Sequence, residues 1–299
     1  MKKIAKKILF LLLLVLVAIG GHLVYLYSLA PKEVYPADDY LLQEHNKRAL
    51  IIMAHDDDAV GSSGTMSMLC ENGWSIREMC FFQQGGLYAH KDSIKNPQRR
   101  IALQTVAGIQ GLAGVDPVDF NFRNDMNTEA AYMPMPYSMF AQNYKTDSLT
   151  HIIDRYIRQY QPTVLFTLDD KIGGYGNPDH VVMSQLVLDY CRQHKNDSGF
   201  TVKKIYQAVF PPSLAENVLG KMPIYNEAKK VYQCAGMPLP TVAINISSYA
   251  RQKKASMLAY TTEQNSIKKI WPYYNWYPSW IYFRIFDRDF FRVLDVSAL

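Results

Sequence analysis

The chain reads as an α/β protein: a Rossmann-like, mostly parallel sheet with helices on both faces, preceded by one N-terminal transmembrane helix. Three observations predict this. Short, continuously apolar runs recur, of the kind that fill strands buried on both faces. They alternate with longer segments of helical period, which implies parallel strands joined by crossover helices. Residues 8–30 (ILFLLLLVLVAIGGHLVYLYSLA) carry no charge. As a helix they reach ~34 Å at ~1.5 Å per residue, enough for a bilayer core of ~30 Å.

The elements follow in order. Lys2, Lys3, Lys6 and Lys7 precede the apolar run and are expected to stay cytoplasmic, which puts everything after Pro31 on the other side. Tyr25 and Tyr27 sit near the far end, where amphipathic rings favour the interface. A cleaved signal peptide is the rival reading, but its apolar core is normally shorter and followed by an A-x-A-like site. The length of the run and the Gly20-Gly21-His22 sequence favour a retained anchor. The expected segments are a basic tail over 1–7, the anchor over 8–30, a polar connection over 31–47 and one hydrolase domain over 48–299.

Within that domain, residues 49–54 (ALIIMA) predict a buried strand. Residues 66–73 belong to a helix ending at Gly73, and 76–83 to a second strand. Helical patterns follow over 97–113 and 147–160, the latter with Ile152, Ile153, Tyr156 and Ile157. Residues 120–122 (FNF) read as strand, 163–168 (TVLFTL) as another buried strand and 181–191 as a helix. Later strands are expected over 204–210 and 241–246. G-x-G-x-x-G is absent after the first strand, which disfavours a dinucleotide site.

Composition excludes some functions. The 299 residues, 48% hydrophobic and 20% charged, suit one α/β domain or two small ones. Of the formal charge of +5, four units are the N-terminal lysines, so the remainder is close to neutral. No Lys/Arg stripe interleaved with aromatics points to nucleic acid. Cys70, Cys80, Cys191 and Cys234 show no metal-like spacing and read as small buried hydrophobes, with a Cys70–Cys80 disulfide as the alternative. The aromatic stretch 271–286 (WPYYNWYPSWIYFRIF) offers sheet packing, sugar stacking or membrane contact.

Ligands of such sheets sit at the C-terminal ends of the strands. Two strands end in polar clusters: His55-Asp56-Asp57-Asp58 after ALIIMA, and Asp169 through His180 after TVLFTL. Three adjacent carboxylates beside an imidazole repel one another without a cation among them. If the strand turns into a helix, residues three apart share a side, so His55 and Asp58 address one ion. His180 approaches from the second loop and completes a His₂Asp set. Three N/O ligands leave a position for water, the pattern of a catalytic zinc site, although another divalent ion fits the same donors.

On these residues the sequence resembles the LmbE-like, or GlcNAc-phosphatidylinositol de-N-acetylase, superfamily. AHDDDA is similar to its AHPDDE motif, and GGYGNPDHVVMS to its second motif, in which tyrosine and glycine precede HPDH. A weaker match joins Lys253-Lys254-Ala255 to Tyr260 through Gln264. The resemblance implies Asp57 as the base that deprotonates metal-bound water and Tyr175 as a holder of the developing oxyanion. It further implies Arg99 or Arg100, and Asp125 after the FNF segment, as substrate contacts. The chain departs from the pattern at four places. Asp56 replaces a proline, Ala59 a glutamate, Tyr260 a histidine, and Asn177 the histidine that serves as general acid or oxyanion stabiliser. Asparagine donates a hydrogen bond but supplies no proton. His90 is the candidate substitute, against a solvated loop histidine. The expected activity is N-deacetylation of an acetylated amino sugar in a glycan, glycolipid or small glycoconjugate. The alternatives are a metal- and glycan-binding protein with little turnover and a hydrolase of another amide or an ester.

Overall fold

The computed structural model describes residues 2–82 and 86–299. Five strands are parallel: β1 (Arg48–Ile52), β2 (Ser75–Phe82), β3 (Gly114–Asp119), β4 (Val164–Leu168) and β5 (Lys204–Ala208). At the far edge β7 (Arg288–Asp295) runs antiparallel to both β5 and β6 (Val242–Asn245). The seven-stranded order is β3-β2-β1-β4-β5-β7-β6. The apolar runs behave as their composition requires: Leu50, Ile51, Ile52, Val164 and Leu165 have no solvent exposure.

An apolar helix α1 (Lys2–Leu29) precedes the sheet, and the crossovers are α2 (Ser63–Glu71), α3 (Ala89–Gln110), α4 (Thr146–Tyr160) and α5 (Pro178–His194). From β1 the chain steps outward through α2 and α3 to β3. It then returns through α4 to the other side of β1 and continues through α5. Right-handed crossovers taken in opposite directions place helices on opposite faces. In α4, Leu149, Ile153 and Ile157 recur at intervals of four and turn one buried stripe to the sheet. Because β1 lies between β2 and β4, the carboxyl ends of β1 and β4 flank the point where strand order reverses, the usual place for a ligand crevice. Among the described residues the remaining helices of seven or more residues are α6 (Pro212–Val218), α7 (Pro223–Val231), α8 (Ala250–Ala259), α9 (Gln264–Ile270) and α10 (Ser279–Ile285).

Several elements differ from expectation. The helix expected over 97–113 begins at Ala89 and carries Pro97 internally. Its buried residues begin at Ala102, so the earlier turns left no apolar period to read. Residues 120–122 are not a strand; the strand lies just before them as β3, whose GVDPVD sequence has no strand signature. An edge position explains this, since Pro117 needs no ladder partner on the open side. The antiparallel β7 was not anticipated. Gln83, the last residue of the expected second strand, lies outside the described residues. All four cysteines are free, with Cys80 and Cys191 buried.

Residues 31–47 run along the domain. The Lys32 N–H donates to Ser213 Oγ (2.9 Å), Ala243 N–H to the Pro36 carbonyl (2.8 Å) and the Tyr206 hydroxyl to Asp38 (2.7 Å). The end of α1 is docked as well. Leu26, Leu29 and Ala30 are buried in the common core, and the Asn217 amide donates to the carbonyls of Ser28 and Leu29 (3.3 and 3.4 Å). Ahead of them Ile8 through Val17 stand exposed, and Lys3–Leu29 is long and apolar enough to cross a membrane.

Candidate metal centre and active-site cavity

After β1 the chain tightens into a turn in which Asp58 Oδ2 accepts the backbone N–H of His55 (2.8 Å), folding the carboxylate back toward the imidazole. The loop after β4 is organised by Asp169, whose two carboxylate oxygens accept the N–H groups of Lys171, Ile172 and Gly174 (2.7–3.0 Å). At Gly173 (φ +60°) a Cβ would stand 2.7 Å from the Cβ of His180, so only glycine admits this approach. Asn177 Oδ1 caps α5 by accepting the Asp179 N–H (2.9 Å), with Pro178 at the first helical position. Asp179 and His180 therefore project from the first turn of α5.

Three side chains converge there. His55 Nδ1 lies 3.1 Å from His180 Nε2, His180 Nε2 lies 3.0 Å from Asp58 Oδ1, and His55 Nδ1 lies 3.6 Å from Asp58 Oδ2. Ligands ~2.0–2.2 Å from a shared ion show separations of this size. The outward ring nitrogens are both held by acceptors: His55 Nε2 by Asp179 Oδ2 (3.1 Å) and His180 Nδ1 by the Gly173 carbonyl (2.9 Å). With protons on those outer nitrogens, both inner nitrogens offer lone pairs to the same point, and the outer acceptors fix the ring orientations as they do for histidines that ligate metal. Burial alone would depress the pKa of His55, yet the carboxylates of Asp58 and Asp179 raise it well above the ordinary range. Such a site calls for positive charge, and the donor set fits a divalent cation.

Asp179 was not assigned a role from the sequence. It is buried and accepts from Arg123 Nη1 (2.9 Å) and the Tyr144 hydroxyl (2.6 Å) besides meeting His55. Burial pushes against its charge, but hydrogen bonding from His55 and the Arg123 guanidinium hold its pKa at about 2, so it remains an acceptor. Nothing in the pattern marked Arg123 or Tyr144, because their partner lies 35 or more residues away.

Asp57 faces the same cavity. Burial raises its pKa, against the pull of Arg99, whose Nη2 donates to Asp57 Oδ1 (2.7 Å) and also pairs with Asp56. Burial pushes Asp56 up to about 7. The Tyr175 ring meets the His180 ring edge-on, and its hydroxyl is hydrogen-bonded to the Asn177 side chain. Burial and the Asp58 carboxylate raise the Tyr175 pKa, so the phenol keeps its proton near neutral pH.

A cavity of about 280 Å³ brings together His55, Asp57, Asp58, Arg99, Tyr175, Asn177 and His180. Two predicted substrate contacts lie outside its lining: Arg100 pairs with Asp119, and Asp125 with Arg123. His90 is exposed on the first turn of α3, also outside the lining. Sequence reasoning missed Glu263, which lines the cavity beside Arg99 (3.9 Å). It also missed an apolar wall formed by Val209, Phe210, Leu219, Met237, Ile270 and Trp271. The aromatic stretch divides its duties: Tyr274, Tyr282, Phe283 and Phe286 are core, Trp271 belongs to the wall, and Trp276 and Trp280 are exposed.

Comparison with known proteins agrees with the resemblance read from the two motifs. Residues 50–191 match the family model PIG-L, GlcNAc-PI de-N-acetylase. The 1D-myo-inositol 2-acetamido-2-deoxy-alpha-D-glucopyranoside deacetylase of Thermobifida fusca (strain YX) is 28% identical over 128 residues, covering 39% of this chain and 44% of the relative. The match thus spans less than half of that relative's length. Among solved structures, the N,N'-diacetylchitobiose deacetylase from Pyrococcus horikoshii aligns with a TM-score of 0.51 at 15% identity, over 87% of this chain and 90% of that one. The 4-carboxy-2-hydroxymuconate hydratase from Pseudomonas putida KT2440 aligns with a TM-score of 0.50 at 18% identity, over 75% and 82%. At these identities the likeness is one of fold, and the fold hosts more than one reaction.

Proposed function

With residues 50–191 matching a PIG-L, de-N-acetylase-type model, we propose that the protein is a membrane-anchored N-deacetylase of an acetylated amino sugar in a glycan, glycolipid or small glycoconjugate. The observation that carries this reading is the convergence of His55 Nδ1, His180 Nε2 and Asp58 beside the half-buried carboxylate of Asp57. Zinc, or another divalent ion, held by His55, Asp58 and His180 would polarise the amide carbonyl and lower the pKa of a bound water.

The chain's own residues supply the rest. Asp57 takes the water proton; its raised pKa brings it closer to the operating pH than an ordinary carboxylate. Arg99 orients Asp57, and its guanidinium pulls against the rise that burial causes in the Asp57 pKa. The Tyr175 hydroxyl and the Asn177 amide, both in the cavity, donate hydrogen bonds where negative charge develops on the carbonyl oxygen. The leaving amine needs a proton, and Asn177 has none to give. Protonated Asp57 returns the one it took. Arg100 and Asp125, beyond the lining, meet a substrate only if its glycan extends outside the cavity.

In this reading α1 is a retained single-pass anchor with a cytoplasmic N-terminus and an extracytoplasmic catalytic domain. Its docked final turns support retention, because cleavage near residue 31 would strip Leu26, Leu29 and Ala30 from the core. Acetate release from a panel of acetylated glycans by metal-loaded protein, with Asp57→Ala as control, tests the activity. The Asn177 substitution favours one second reading, a glycan-binding protein with little turnover. Equal background rates for parent and Asp57→Ala, with glycan binding retained, would select it.

A further inference from the structure

The final turns of α1 belong to two environments at once. His22, Leu23, Leu26, Leu29 and Ala30 form a stripe at helical spacing turned to the domain, with Leu26 fully buried. Yet His22 lies only ~21 Å along the helix from Ile8, inside the ~30 Å that the hydrocarbon core spans from the end of the lysine cluster. Whatever the domain places against His22 is therefore carried to the membrane boundary.

What it places there is aromatic. The His22 ring stacks on Trp276 (5.5 Å between centroids) and Tyr277 (5.6 Å), meets Tyr273 edge-on (4.7 Å), and bonds the Tyr277 hydroxyl through Nδ1 (2.6 Å). Tyr25 also meets Tyr273 edge-on (6.3 Å). Although packed on α1, Trp276 remains 67% exposed, and Trp280 is 69% exposed at the start of α10. Four residues on, and so on the same face of α10, stands the exposed Arg284. Tryptophan with arginine on one face suits the layer between acyl chains and headgroups, where an amphipathic ring keeps its N–H wet and its body dry.

We propose that the face bearing Tyr273, Trp276, Tyr277 and Trp280 is seated in the interfacial layer of the bilayer that α1 crosses. The proposal rests on the anchor reading and is independent of the reaction catalysed. It makes the aromatic segment a second point of membrane attachment beside the span. That attachment reaches the cavity, since Trp271, five residues before Trp276, lines the apolar wall.

The test uses the full chain reconstituted in phosphatidylcholine vesicles with brominated acyl chains. The protein has four tryptophans; Trp74 and Trp271 are buried, so a lipid-borne quencher chiefly reports Trp276 and Trp280. The expected result is strong quenching of the parent by bromolipid with weak quenching by aqueous acrylamide. Most of the bromolipid effect should be lost in Trp276→Phe/Trp280→Phe, and part of it in Trp280→Phe, which disturbs less packing. Vesicle flotation in high salt is read in parallel. Protein that floats while bromolipid quenches parent and double variant alike overturns the seat alone. Protein that fails to float overturns the anchor and the seat with it.

Discussion

The two sides of the cavity are built by different means. On the β1–β4 side His55, Asp57, Asp58, Tyr175, Asn177 and His180 come from two short stretches, 55–58 and 173–180, each a turn at a strand end and each tied by backbone hydrogen bonds, with Arg99 and Glu263 added from farther along the chain. On the β5–β7 side the wall is apolar and assembled from separated segments: Val209 and Phe210 after β5, Leu219 after α6, Met237 in a loop, and Ile270 with Trp271 at the end of α9. Directional chemistry needs groups fixed by hydrogen bonds, and such groups are most easily fixed by near neighbours. A hydrophobic wall needs only shape and volume, which any part of the chain can supply. Substitutions on the first side should therefore act on bond making, and those on the second on fit.

The largest expected effect tests whether the polar side is a metal centre. His180→Ala and Asp58→Ala should lose the single divalent ion and with it hydrolysis, whereas Asp57→Asn should keep the ion and lose ~10²–10⁴-fold in rate. Elemental analysis beside acetate release separates the two. Full metal retention by His180→Ala would end the ligand assignment. Next, Asp179→Asn weakens the acceptor behind His55 and leaves Arg123 facing an amide. Metal affinity should fall ~10–100-fold, and unfolding of the metal-free protein in denaturant should show a loss on the order of 1–3 kcal/mol. Unchanged affinity would mean that Asp179 does not orient His55.

Asn177→His sharpens the comparison within the polar side. It restores a group able to hand over a proton and should accelerate acetate release at unchanged metal content; an equal or slower rate would show that Asp57 already meets that need. On the apolar side, Met237→Ala should raise KM several-fold, at ~0.8 kcal/mol per lost methylene, while kcat and metal content stay put. A matching fall in kcat would erase the distinction between the two sides.

The smallest effect lies far from both. Burial disfavours the charge on Glu44, but the Tyr40 hydroxyl and the Lys203 ammonium hold its pKa at about 2. A carboxyl depressed on folding stabilises above its ordinary value of 4.5 and loses that contribution as pH falls toward about 2. Glu44→Gln should be less stable than the parent at neutral pH, and the two should converge as pH drops through that window, with activity untouched. Melting curves across pH 2–6 give the measurement, and a constant difference would contradict the sign.

Much of this architecture was legible in the sequence for the same reason that the polar side was. ALIIM is continuously apolar and TVLFTL mostly so because β1 and β4 are covered on both faces, and the clusters that follow them announce the switch point. The edges were not legible. GVDPVD forms β3 on an open edge, where one partner suffices, and β7 pairs antiparallel with β5 and β6 across a long insertion. Within the site, His55, Asp58 and His180 were readable as a set because strand ends bring them together. Asp179 stood in plain view beside His180, but its partners Arg123 and Tyr144 come from the connection between β3 and α4. The apolar wall was invisible, since Leu219 or Met237 carries no mark of facing a cavity rather than the core.

The docking of α1 has a mechanical consequence. The helix is continuous from Lys2 to Leu29, Asn217 bonds its last carbonyls, and Lys32 and Glu33 are tied to Ser213 immediately afterwards. Among the described residues no free joint separates α1 from the domain. A domain on a loose leash samples a volume set by leash length, and its effective concentration toward a target falls as that volume grows. Here the cavity keeps one distance and one heading from α1, so that, on the anchor reading proposed above, reach would be traded for aim: the targets would be those that present their scissile group at that height.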